Sequence, residues 1–197
     1  MNDERNRDQI VRKDARGCFV ESLSDAFGIG KAHFAFAAYD MKRPSGQRQT
    51  DCVHIYMDVG ELLELCREAE SGELRAMLRE KRQSGEKSAI YQHLGGTPAE
   101  RLASLGRARP DGMSLSRTFQ LLPGAKSGFL LVAASGPGEE NVKGLIVPRF
   151  GNRPENHVAV SLSFAALCEL LLMTRTHYQA WLTAQYAAVG NKEAQRV

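Results

Sequence analysis

The sequence predicts an α+β fold in which one unit, an antiparallel sheet covered on one face by a helix, occurs twice. Three observations carry that expectation. Residues 53–66 line up with residues 158–171: both alternate apolar positions, meet a helix-capping residue at the same point (Asp58, Ser163) and then switch to helical spacing. Upstream, Phe34, Phe36 and Ala38 match Phe129, Leu131 and Ala133. Between these segments, short alternating runs are separated by Gly, Pro, Asn and Ser, the punctuation of antiparallel strands. Each unit is therefore expected to be ββββα-like, both together forming one pseudo-symmetric domain.

Taken in order, Met1 to Arg16 is polar and mixed in charge, and is read as an N-terminal tail or short helix. The first unit covers residues 17–84. Cys18 to Leu23 reads as a strand, Gly28-Ile29-Gly30 as a turn, and Lys31 to Tyr39 as a strand with His33, Ala35, Ala37 and Tyr39 on one face. Residues 42–48, with Lys42, Arg43, Pro44, Gly46 and Arg48, form a basic hairpin tip. Thr50 to Met57 is the next strand, with Val53, Ile55 and Met57 facing one way and Cys52, His54 and Tyr56 the other. Asp58 with Glu61 makes a capping box for a helix whose stripe is Val59, Leu62, Leu63, Leu65, Cys66 and Ala69. Ser71-Gly72 interrupts it, and residues 73–82 continue as a second helical piece.

Residues 85–112 form a basic connector, in which Thr97 and Pro98 start a short helix. The second unit covers residues 113–190: strands at 113–122, 128–135, 143–150 and 157–162, a turn at Gly136-Pro137-Gly138, and a long helix capped by Ser163 and running to about Val189. Residues 191–197 are a C-terminal tail. Pro148 marks an edge or bulge in its strand. In this unit Leu130 and Val132 occupy the positions that are polar or aromatic in the first, so cover from the sister unit or another subunit is expected.

A chain of 197 residues with 43% hydrophobic and 25% charged positions supports a folded core. Its longest apolar run is too short to cross a bilayer, and residues 1–16 lack the apolar stretch of a secretory signal. Cys18, Cys52, Cys66 and Cys168 are scattered without a CxxC pair, so free thiols in a reducing cytoplasmic setting are expected, with Cys66 and Cys168 inside helix stripes. Residues 58–78 carry six acids against two bases, and residues 79–110 seven bases against three acids, an asymmetry that gives the chain a polyanion-facing side.

A doubled four-strand-then-helix unit resembles the fold shared by PUR-alpha and Whirly proteins. The resemblance rests on element order and duplication over residues 17–190. It implies single-stranded nucleic-acid binding through sheet faces and strand loops, and it transfers no individual binding residue. The residues themselves point the same way, because single-strand binders join cations for phosphates to aromatic rings for bases. Lys42, Arg43 and Arg48 in the first unit and Lys143, Arg149 and Arg153 in the second are the candidate phosphate contacts. Tyr39 and Tyr56 are the candidate stacking rings, with His54 between them on the same face. Cys52 and His54 have the spacing of two metal ligands, yet nothing places His33, His93, His157 or Cys18 beside them, so no metal and no cofactor is expected. Trp181, Tyr178 and Leu182 read as packing of the last helix. The expected activity is binding of single-stranded DNA or RNA without catalysis; the alternative is a homodimerising or protein-partner assembly module.

Overall fold

The computed structural model describes residues 7–124 and 128–194, with side chains to residue 189. Its elements are β1 (Gln9–Ala15), β2 (Cys18–Leu23), a 3-10 turn (Phe27–Ile29), β3 (Lys31–Tyr39), β4 (Gln49–Asp58), α1 (Val59–Ser71), α2 (Glu73–Ser84), β5 (Tyr91–Thr97), α3 (Ala99–Ser104), β6 (Ser114–Pro123), β7 (Phe129–Glu140), β8 (Ile146–Pro148), β9 (Asn156–Leu162) and α4 (Phe164–Ala194). They form two antiparallel sheets, ordered β1-β2-β3-β4 and β5-β6-β7, with β8 and β9 both pairing to β7. The α+β, twice-repeated architecture is therefore present.

The repeat carries a register difference. Ala32, Phe34 and Phe36 pair with Met57, Ile55 and Val53 in the first unit; Phe129, Leu131 and Ala133 pair with Leu162, Val160 and Val158 in the second. Phe129 thus takes the place of Ala32, two residues from the match suggested by the sequence. A shift of two keeps every side chain on its own face, which is why the pattern survives it.

Five expectations are corrected. Residues 9–15 of the assigned tail are a strand, joined to β2 through Gly17 in the left-handed conformation (φ 74°), so the first unit has its full four strands. The connector contains β5, the first strand of the second sheet, whose weak alternation in Gln92, Gly95 and Gly96 concealed it. The Gly136-Pro137-Gly138 segment is the continuation of β7 rather than a turn. A Cβ at Gly138 would lie 2.7 Å from side-chain atoms of Ile146 and Ser116, so the glycines permit close layering there. Pro137 lacks a donor on the side where β8 has ended, and its carbonyl accepts from the Arg149 amide at 2.8 Å. Finally, α4 continues through residues 191–194 of the assigned C-terminal tail, and the 143–150 strand shrinks to Ile146–Pro148.

The helix boundaries follow their chemistry. The Asp58–Glu61 capping box closes the start of α1, Gly72 (φ 83°) ends it, and Ser163 Oγ accepts from the Ala166 amide at the start of α4. Val20, Phe34, Phe36, Val53, Ile55 and Met57 of the first sheet meet Phe119, Leu121, Phe129, Leu131, Val158 and Val160 of the second in one core. Leu62, Leu65, Leu167, Leu170 and Leu171 of α1 and α4 close it. Phe36 and Phe119 touch across the sheets with ring centroids 5.7 Å apart. Polar ties also join the units: Arg175 grips Glu70 through two bonds of 2.6 and 2.8 Å, His93 Nδ1 lies 2.9 Å from Glu61, and Arg82 donates to the Gly124 and Gly128 carbonyls. Phe27 packs with Tyr178 and Trp181, which gives those α4 residues the packing role expected of them. Leu130 and Val132 lie half-buried on the outer face of the second sheet. Among the described residues no helix is long and apolar enough to span a membrane.

Since the core is shared, Phe36→Ala is expected to lower stability by about 3–5 kcal/mol while leaving one cooperative transition. Urea unfolding followed by Trp181 fluorescence and by far-UV circular dichroism checks this; two separated transitions would contradict a common core.

Candidate functional site

The inner face of β6 carries Leu121, Phe119 and Arg117 in phase. The first two are in the core, whereas Arg117 lies where that face runs past it, beside the edge of β4. There an open cleft of about 370 Å³ lies between the units, lined by Lys31, Tyr56, Thr97, Arg101, Arg107 and Arg117 together with Ile29 and Leu105. Lys31 begins β3, Tyr56 lies near the end of β4, and the α3 segment with its following turn brings Arg101 and Arg107 to the opposite wall.

The electrostatics are one-sided. Lys31 pairs with Asp58 at 2.7 Å, but Arg101, Arg107 and Arg117 pair with no carboxylate among the described residues. Arg117 donates to Thr97 Oγ1 at 2.8 Å, and its guanidinium carbon lies 5.9 Å from the centre of the Tyr56 ring. Burial holds the Arg117 guanidinium below its ordinary value, and it remains a cation at neutral pH. Tyr56 stacks its inner ring face on His33 (4.3 Å between centroids, 19° between planes) and is 37% exposed. Burial, followed by the charge of Asp25, raises the Tyr56 phenol above its usual value, against the pull of Arg117 and Arg107. A ring supported from below and edged by unpaired guanidinium groups can receive a planar ring and an anion together.

The residues marked in the sequence divide. Tyr56 lines the cleft, and His54 is its exposed neighbour on the outer face of the first sheet. Tyr39 lies further along that face, half-buried with its ring 6.4 Å from Phe19. Lys42, Arg43 and Arg48 are exposed on the β3–β4 hairpin; Tyr56 is eight residues on from Arg48, roughly 25 Å along the strand at about 3.3 Å per residue. On the second sheet Arg149 is paired with Glu139, and Lys143 and Arg153 stand on exposed loops outside the cleft. Hairpin and cleft thus sit at opposite ends of one strand. The cations that converge on Tyr56 are Lys31, Arg101, Arg107 and Arg117. Arg101 and Arg107 belong to the basic connector. For Arg117 the readable signal was an arginine in phase with Phe119 and Leu121 on an otherwise apolar strand face.

Cys52 and His54 contact one another, with Sγ 3.3 Å from Nε2, and His33 joins them through His54 Nδ1 at 2.8 Å. These groups are bonded to each other, and among the described residues no cluster of three or more His, Cys, Asp or Glu is arranged to hold a metal ion. Burial, then the positive environment of His33 and Arg117, lowers the affinity of His54 for its proton. Comparison with known protein families, with curated proteins and with solved structures returns no match.

Two outcomes follow. Arg117→Met removes a half-buried charge that has no carboxylate partner and is expected to stabilise the fold by about 0.5–2 kcal/mol, read as a higher Tm in calorimetry. Because folded His54 binds its proton less readily than the unfolded chain, stability is expected to fall as pH drops from about 7 to about 5, and His54→Gln to flatten that decline in urea titrations.

Proposed function

We propose that this chain binds single-stranded DNA or RNA, seating one nucleotide in the cleft between its two sheet units. The observation that carries the reading is Arg117: a desolvated guanidinium without a carboxylate, placed beside the exposed face of Tyr56. Holding a half-buried cation without a carboxylate lowers stability, and an anionic ligand supplies the missing partner. Arg101 and Arg107 extend the positive wall for neighbouring phosphates, while Tyr56 offers a stacking surface that tolerates any base. Duplex is disfavoured, since a base stacked on Tyr56 must first leave its own stack. The hairpin cations Lys42, Arg43 and Arg48 then serve as a second phosphate contact for a strand that continues along the outer face of the first sheet. A compartment of reducing character, such as the cytoplasm, agrees with four free cysteines.

Fluorescence anisotropy with labelled single-stranded DNA, single-stranded RNA and duplex DNA at two salt concentrations tests the proposal. Binding is expected to prefer single strands and to weaken steeply with salt. Tyr56→Ala is expected to cost about 1–3 kcal/mol, roughly 5- to 150-fold in affinity. Arg117→Met should reduce the salt slope by about 1. Arg43→Glu with Arg48→Glu reports whether the bound strand reaches the hairpin. Absence of binding to every probe at low salt overturns the proposal and favours the assembly reading, for which the half-buried Leu122, Leu130 and Val132 are the available apolar surface.

A further inference from the structure

Independently of nucleic-acid binding, we propose that Cys52 is a base-activated thiol that accepts an acyl group from an uncharged, activated ester or thioester. Three side chains on the outer face of the first sheet and one in the turn between β2 and β3 form a continuous hydrogen-bonded line. Asp25 Oδ1 lies 2.7 Å from His33 Nδ1, His33 Nε2 lies 2.8 Å from His54 Nδ1, and His54 Nε2 lies 3.3 Å from Cys52 Sγ.

With Asp25 ionised and both imidazoles neutral, the donors in this line can be arranged in only one way. A carboxylate only accepts, so His33 donates from Nδ1 and is left an acceptor at Nε2. His54 must then donate from Nδ1, and its Nε2 lone pair faces the thiol, which donates. Asp25 therefore fixes the tautomer of both histidines and leaves a free base at the sulfur, the arrangement of a nucleophile, a base and an orienting acid with one extra imidazole inserted. His33 is 3% exposed and is held flat by Tyr56, whereas His54 is exposed and Cys52 half-buried, so the reacting end is open and the orienting middle is fixed.

The surroundings select the substrate. Cys52 and His54 lie across β3 from Phe19 and Glu21, and the positions between them are Ala37 and Ala35. Both alanines are buried beneath the longer side chains around them, and the half-buried sulfur and the exposed imidazole are what this face presents to solvent. The groups acting on the pair are Glu21 on β2, Asp25 in the turn before β3, His33 on β3, Gln49 at the start of β4 and Arg117 on β6. Glu21 disfavours an anionic donor; burial and then the Glu21 charge also hold the Cys52 thiol above its ordinary value, so its attack depends on proton removal by His54. In the step itself the sulfur attacks the carbonyl carbon, the S–C bond forms and the C–O or C–S bond of the donor breaks. The thiol proton passes to His54 Nε2 and on to the departing alkoxide or thiolate, with no change of oxidation state.

The test is p-nitrophenyl acetate as acyl donor. A burst of p-nitrophenolate stoichiometric with protein is expected, with the acetyl group located on the Cys52 peptide by mass spectrometry. His54→Ala should slow the burst about 100-fold and Asp25→Asn about 10-fold, as removal of a general base and of its orienting acid does. Both sites are exposed, and unchanged circular dichroism shows that the variants fold. Acetylation spread over lysines or equal at Cys168 overturns the proposal, as does an Asp25→Asn burst at the wild-type rate.

Discussion

Each sheet carries one largely apolar face, and neither has enough helix to bury it alone. α1 and α4 cover part of the surface, and the rest is removed from water only when the inner face of one sheet meets that of the other, with Phe36 against Phe119 at the contact. At about 25 cal/mol per Å² of apolar surface, this mutual burial is the dominant force holding the units together, and it fixes their relative placement. The outer face of the first sheet is thereby free to carry ionisable side chains. The end of β6 that overhangs the core becomes the wall of a cleft.

The cleft is a consequence of that overhang. Residues 115–121 of β6 keep one orientation along the strand, so the positions that supply Phe119 and Leu121 to the core also aim Arg117 into the junction. Its charge is neither solvated fully nor paired, and Tyr56 shares the same small volume. Two kinds of chemistry lie on either side of Tyr56: its exposed ring faces the cations of the cleft, and its inner face holds His33 in the hydrogen-bonded line to Cys52.

Much of this fold was legible in the residues. The capping pair Asp58 and Ser163 preceding two apolar helix stripes marked the duplication, and the alternation of 53–57 and 158–162 marked the strands and their inward faces. β5 was not legible, because Gly95 and Gly96 interrupt its alternation where neighbouring backbone and Ile146 approach closely. The Gly136-Pro137-Gly138 segment has turn composition, yet it is held straight by partners far away in the chain. Local propensity yields there to tertiary packing. Tyr56 could be identified from its place on the open face of β4. The cations around it come from β3, α3, the turn after it and β6, and only the packing of two sheets puts them in one place. The hairpin arginines, conspicuous by composition, lie at the far end of the strand.

The shared core also shapes how the molecule comes into being. α4 leaves the ribosome roughly 100 residues after α1, a delay of roughly 5–20 s at ordinary elongation rates. Through that interval the first sheet is complete in its pairing but still presents Phe34, Phe36, Val53 and Ile55 to the surroundings without their partners. A nascent first unit is therefore a sticky, half-finished surface. Such a surface is prone to aggregation until the sister sheet arrives to cover it.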